Sequence, residues 1–321
     1  MNTIIRPADR AAWLKEREKG IGSSEIATIM GVNPFETPYQ LYRRKKGMDA
    51  PKQETFLMKA GHYLEDAVSK FWSDETGHEV IKSSAGDWLI VNTDKPFLRA
   101  SPDRTYWLDG KKSNENKGIL ECKTTQMDVD ISNLPRHWFC QVQWLLGVSE
   151  YEQGSLAWLV RGREFGYQDL AFVPDFFKYM SEEAEKFWVD SIIGNKEPEM
   201  TSLEDVLTKF PKDAPDKTII ASADTITTYR QLMKVREMEK EIAEKKEEYE
   251  AKLKVAFGDA GVLCTSNGVT LATWKAAKDS ESFDSKRYCK EHPDLVKPYI
   301  SVKTGSRRFL VKENALAEVS K

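Results

Sequence analysis

Apolar residues along the first two hundred positions recur at spacings that change several times, and each change marks an element. The first fifty residues predict short helices separated by turn signals. DRAAWLKEREKG is one; GSSEIATIMG is the next, with Ser23 or Ser24 placed to cap it and Gly31 to end it. After the turn VNPFE, the stretch TPYQLYRRKKG predicts a third helix, with Pro38 near its start and Gly47 at its end. Over residues 54–73, Phe56, Ala60, Leu64, Val68 and Phe71 follow at intervals of four and three, one apolar stripe on a long helix. The period then shortens toward two. EVIK, DWLIVN, FLRASPDRTYWL and GILECKT predict strands, the last two joined as a hairpin through the polar stretch DGKKSNENKG. Pro135 opens a helix over RHWFCQVQWLLG. SLAWLV and YQDLAFV are strands on either side of the turn RGREFG, and a further helix covers 174–193.

This order of helices, meander, helix and further strands predicts an α/β (α+β) fold, with a mixed central sheet flanked by helices. The Pro- and charge-rich stretch 196–217 is the candidate boundary, giving a first domain over 1–200 and an extension over 218–321. The extension begins with a long helix over 221–257. Val235, Ile242 and Tyr249 stand there at sevenfold spacing, in a seam too short and too often broken for a coiled coil. That predicts an amphipathic helix packing on its own domain. GVTLATW, YISVKT and SRRFLVK predict short strands in the tail, with a helix near 284–291.

Composition adds limits. An apolar share of 40%, with 9 Trp, 14 Phe and 11 Tyr, supplies a core without disulfides. Cys122, Cys140, Cys264 and Cys289 form no C-x-x-C pair, and the 4 His are scattered, so neither structural zinc nor an iron–sulfur cluster is expected. The N-terminus lacks the apolar core of a signal peptide, and no stretch is apolar for the length of a membrane span. A cytoplasmic protein with reduced thiols and no membrane contact is the expectation. The net charge of -3 advertises no global attraction for nucleic acid.

The candidate chemistry is acidic. Phosphodiester hydrolysis needs negative charge stabilised at phosphorus and a deprotonated water. One or two Mg²⁺ held by a few carboxylates supply both. In GILECKT, strand alternation puts Glu121 and Lys123 on one face, with Leu120 and Cys122 on the other. A cross-strand ion pair would use the same residues. The E-x-K triplet also occurs at Glu115, Glu244 and Glu250, but those lie in a polar loop or a charged helix. Asp103 lies one strand earlier, where a hairpin brings it beside Glu121; Pro102-Asp103 is otherwise a plain turn dipeptide. Glu65 flanks the apolar stripe, on a face with Met58, Gly61 and Trp72. A carboxylate there needs a partner such as a metal. Asp66 points with Lys59, His62 and Lys70 and reads as solvated surface. Gln141 shares a helix face with Trp138, Leu145 and Val148, as a core polar residue or a site residue.

The ordered set GSSEIA, NPFETPYQLYRRKKG, AGHYLEDAV, ASPDR, LECKTT and FCQVQWLLG resembles the YqaJ-type viral recombinases, over about residues 10–175. That family is grouped with the phage lambda-type alkaline exonucleases among the PD-(D/E)xK nucleases. The resemblance implies a restriction-endonuclease-like core in which Asp103 and Glu121, with the Cys122 carbonyl, ligate Mg²⁺ (Mn²⁺ substituting). Glu65 would support the metal, Lys123 would position or activate the water, and Gln141 would match the later helix motif. Arg17, Ser24 and Ser101 stand where a 5′-phosphate pocket would fall. Ser24 at a helix start suits an anion, and a plain N-cap equally. The implied activity is a 5′-to-3′ exonuclease on double-stranded DNA ends, leaving 3′ overhangs for a single-strand annealing protein. A phage- or prophage-encoded, ring-forming homo-oligomer in the bacterial cytoplasm is implied with it. An endonuclease with the same four residues and a non-catalytic DNA-binding or assembly protein are the rivals. The resemblance assigns no chemistry to 218–321.

Overall fold

Contacts divide the chain of this computed structural model into two units, Met1–Lys209 and Phe210–Lys321. Residues 1–50, 55–81, 88–108, 112, 116–302, 305 and 307–312 are described. In the first unit the elements are β1 (Asn2–Ile5), α1 (Arg10–Glu18), α2 (Ser23–Ile29), α3 (Pro38–Lys45), α4 (Phe56–Thr76), β2 (Val80–Ile81), β3 (Leu89–Asn92), β4 (Arg99–Ala100), β5 (Arg104–Trp107) and β6 (Lys117–Thr125). They continue with α5 (Arg136–Ser149), β7 (Gln153–Val160), β8 (Glu164–Ala171), α6 (Pro174–Lys186), which runs on as a π-helical stretch to Ile193, and α7 (Leu203–Lys209).

The expected mixed sheet with flanking helices is present. Its strand order is β2-β5-β6-β7-β8, with β6 and β7 parallel and the other pairs antiparallel. A parallel pair needs a crossover, and α5 supplies it between β6 and β7. Leu120 and Cys122 of β6 pack with Val68 and Trp72 of α4, whereas Ile119 joins the larger core built on α5, with Trp144, Leu145 and Val148. Alternation along β6 therefore decides which side chains meet α4 and which meet α5.

Several expectations need correction. FLRASPDRTYWL is not one strand. It breaks at Ser101-Pro102-Asp103 into β4, which joins a separate sheet of order β1-β3-β4, and β5. Pro102 has no N–H to donate to a ladder, so the chain changes sheets there. β1 went unread because its NTII has one short period among polar neighbours. The stripe on α4 is its buried face only in part: Phe56, Leu64 and Phe71 are exposed, whereas Val68 is buried, with Ser69 and Trp72 off the stripe. Neither Ser23 nor Ser24 caps α2. Gly22 is the N-cap, and with no side chain of its own to cap the helix it gives its N–H to the Glu25 carboxylate at 2.9 Å. Within 196–217, α7 forms, and its buried Asp205 accepts the Thr37 hydroxyl at 2.9 Å.

The second unit holds α8 (Ala223–Phe257), the hairpin β9 (Val262–Cys264) and β10 (Thr270–Thr273), α9 (Ser285–Glu291) and α10 (Pro293–Val296). α8 is not packed along its seam as expected: Val235, Ile242 and Tyr249 are exposed and only Phe257 is buried. A two-stranded hairpin is too small to cover a helix of that length. The described parts of YISVKT and SRRFLVK form no strands. Glu115 and most of the β5–β6 loop lie outside the described residues.

Candidate active site

β5 ends its pairing with β6 at Arg104↔Leu120, so the residues just before it reach the next stretch of β6. Asp103 does so directly: its Oδ2 accepts the backbone N–H of Cys122 at 2.8 Å. In an extended strand a residue's N–H and C=O face the same side. The Cys122 carbonyl is therefore turned toward Asp103 too, while its thiol is buried on the α4 face.

Glu121 and Lys123 share the other face, as alternation predicts. Lys123 Nζ donates to Glu121 Oε1 at 2.6 Å and to Gln141 Oε1 at 2.8 Å. Gln141 of α5 donates its Nε2 to the same Glu121 oxygen at 2.5 Å. Gln141 is thus a partner of both β6 side chains. Glu121 Oε2 is buried with no hydrogen-bond partner. Glu65 projects from the inward face of α4, with His62 Nδ1 3.0 Å from its Oε1.

The electrostatics follow from three carboxyls gathered around one ammonium. Burial, then Asp103, pushes the Glu121 carboxyl up to about 8. Burial raises Asp103 despite Lys123 and the Cys122 N–H, and burial and Asp103 together raise Glu65. Burial alone would lower Lys123; Glu121 and Asp103 reverse that and hold it as an ammonium. Burial is the main cause for all three carboxyls, and Asp103 adds to it at Glu121 and Glu65. Among the described residues no three Asp, Glu, His or Cys side chains already stand in ligating positions. The donor set nevertheless suits a hard divalent cation: oxygen atoms only, a buried orphan oxygen on Glu121, and carboxyls whose mutual repulsion a cation would relieve.

The same cleft extends to a cationic end. Arg17, Ser24 and Ser101 line it together with Glu65, Asp103 and Gln141. Arg17 Nη2 donates to Ser24 Oγ at 2.9 Å. Ser101 Oγ donates to the Trp88 carbonyl at 2.7 Å. The loop between α1 and α2 is strapped to the strand that leads to Ser101, through Ile21 N–H to Phe97 O at 2.6 Å and Arg99 N–H to Ile21 O at 3.0 Å. Gly20 permits this approach, since a Cβ there would stand 2.4 Å from the Phe97 carbonyl.

Sequence reasoning missed several neighbours. Arg10 and Arg17 both lie over the Trp13 indole, 4.2 and 4.7 Å from its centroid, and Arg10 and Trp13 line the cleft. Their spacing of three and four on one helix was the available signal. Arg104 bonds Asp66 Oδ1 at 2.5 Å, so exposed Asp66 is an ion-pair partner as well as surface.

Residues 12–152 match the model of the YqaJ-like viral recombinase domain. Over those residues the chain is similar to that domain. It is 28% identical over 316 residues to the uncharacterized protein YqaJ of Bacillus subtilis (strain 168), covering 95% of this chain and 94% of that protein. Every residue described above for the two ends of the cleft, except Arg10, falls inside the YqaJ-like match. Among solved structures, the alkaline exonuclease LHK-Exo from Laribacter hongkongensis aligns with a TM-score of 0.44 and 14% identity, over 57% of this chain and 92% of that one. A phage related exonuclease from Haemophilus somnus 129PT aligns at 0.39 and 11%, over 55% and 96%. No described helix is long and apolar enough to cross a membrane.

Proposed function

We propose that this YqaJ-like protein is a metal-dependent deoxyribonuclease, and an exonuclease that enters duplex DNA at 5′-phosphorylated ends. The observation that carries the reading is a single cleft with carboxylates at one end and Arg17, Ser24 and Ser101 at the other. Asp103, Glu121 and the Cys122 carbonyl, supported by Glu65, would hold Mg²⁺, with Mn²⁺ as a substitute. Bound there, the cation would stabilise charge at phosphorus and acidify a water. Lys123, held as an ammonium between Glu121 and Gln141, orients the attacking water and stabilises developing negative charge. Gln141 fixes Lys123 and Glu121 relative to each other. Arg17 and Ser24 offer donors to a terminal phosphate, whose dianion matches a guanidinium better than a hydroxyl end does.

Digestion from that end leaves 3′ overhangs, the substrate of a single-strand annealing protein, and a homo-oligomeric ring would keep the enzyme on its DNA. Incubation with Mg²⁺ and either linear or closed circular duplex tests the reading. Loss of linear DNA alone supports it. Cutting of both forms replaces it with an endonuclease, and cutting of neither with a DNA-binding or assembly protein.

A further inference from the structure

Beneath the cationic end of the cleft lies a buried ion pair that the hydrolytic chemistry does not use. Lys45, the last residue of α3, is 2% exposed in its side chain, and Glu25 of α2 is 5% exposed. Lys45 Nζ stands 2.8 Å from Glu25 Oε2 and donates to the carbonyls of Arg17 at 3.2 Å and Gly20 at 2.5 Å. An ammonium has three donors, and all three are engaged. The Arg17 carbonyl belongs to the last turn of α1, where no helical partner is available to it. The same Glu25 Oε2 accepts the Gly22 N–H at 2.9 Å, and Oε1 accepts Arg44 Nη1 at 3.0 Å. One buried pair from α2 and α3 therefore grips the end of α1, the loop at Gly20 and the start of α2. Arg17 and Ser24 sit on the two segments so joined.

The charges point the same way. Arg17, Arg44 and Lys45 all act on the one Glu25 carboxylate, and Glu36 shares Arg44. Burying an ammonium is costly unless a carboxylate accompanies it. Glu25 fills that role for Lys45 while also drawing on Arg17 and Arg44.

We propose that Lys45, with Glu25 as its counter-charge, is the positioning residue that sets Arg17 and Ser24 for the terminal phosphate and so determines discrimination between 5′-phosphoryl and 5′-hydroxyl ends. The inference rests on the reading of Arg17 and Ser24 as phosphate holders. Neither Lys45 nor Glu25 lines the cleft, so they act through the residues that do.

The test is the ratio of digestion rates on 5′-phosphoryl and 5′-hydroxyl duplex, read for the full-length protein and for K45M and E25Q, with a circular-dichroism melt for each. Misplacement of a binding group by about an ångström can cost on the order of a hundredfold, so the ratio in K45M should fall at least about fivefold. A purely structural role would lower the melting temperature and slow both ends alike. A folded K45M that keeps the wild-type ratio overturns the proposal. If K45M does not fold, E25Q decides. It preserves side-chain volume and an acceptor for the Gly22 N–H but removes the counter-charge: a reduced ratio supports the proposal, and an unchanged one overturns it. A wild-type ratio of one removes the phosphate pocket itself, and this proposal with it.

Discussion

Asp103, a turn residue, is fixed to strand β6 by the backbone N–H of Cys122, 2.8 Å from its Oδ2. The bond carries the carboxylate across the point where the β5–β6 ladder stops and sets it beside Glu121. Two acids far apart in sequence become neighbours through one main-chain donor.

Removing either acid should therefore abolish hydrolysis without unfolding the chain. Outer partners of metal ligands are typically worth about 10–100-fold, so Asp103→Ala or Glu121→Ala should lower turnover by more than about a hundredfold. Because burial raises both carboxyls, and Asp103 raises Glu121 further, the metal-free variants should melt close to wild type. Near-normal turnover at ordinary Mg²⁺ in either variant would remove these residues from the active site.

Lys123→Ala should slow the chemical step and leave DNA affinity nearly unchanged. Removing one group that stabilises transition-state charge typically costs about 10²–10³-fold, and losing it lowers kcat and kcat/KM together. Lys123→Arg should rescue poorly, because a planar guanidinium does not fit the place of an ammonium between Glu121 and Gln141. Single-turnover cleavage with saturating enzyme is the measurement, and a wild-type rate there would reduce Lys123 to a DNA-holding or structural cation.

Arg17→Ala should erase any preference for a 5′-phosphate. A hydrogen bond to a charged group contributes about 1.5–3 kcal/mol, which corresponds to roughly ten- to a hundredfold between the two ends. The comparison needs only matched duplexes with and without the phosphate. A preference surviving in Arg17→Ala would move the anion site elsewhere in the cleft.

Acid sensitivity should trace in part to Glu25. Burial alone would raise its carboxyl, but Lys45, Arg17 and Arg44 outweigh burial and hold it at about 2, against an ordinary value of 4.5. A depressed folded-state pKa gives stability that is complete above the unfolded value and is lost as pH falls from about 4.5 toward 2, up to about 3 kcal/mol in all. Melting curves across that window should fall more steeply for wild type than for Glu25→Gln. Parallel curves would show that the carboxylate contributes no such stability.

The sequence made the β6 part of the site legible because alternation in LECKT is a local property. It placed Glu121 and Lys123 together, and their shared partner Gln141 stands on the helix that follows. It misjudged α4, where Phe56, Leu64 and Phe71 follow a helical period yet face solvent. The sheet buries α4 at Val68 and Trp72 while Phe71 only leans on Phe165, and a period cannot say where the burying surface ends. The break at Pro102 was visible, but not that the chain changes sheets there. Lys45 looked like one more basic residue in YRRKKG. Its burial depends on contacts with Gly20 and Glu25, and no local pattern encodes those.

The strap of Ile21 onto Phe97 and Arg99 makes the cleft a measuring device. Arg17 and Ser24, proposed to hold the end of a strand, flank the α1–α2 loop, and Asp103 stands on the stretch that leaves β4, four residues beyond Arg99. The separation between gripped end and cut bond is thus written in main chain. A residue inserted or deleted between Arg99 and Asp103 would change the distance from Arg17 and Ser24 to Asp103 more than any single side-chain substitution.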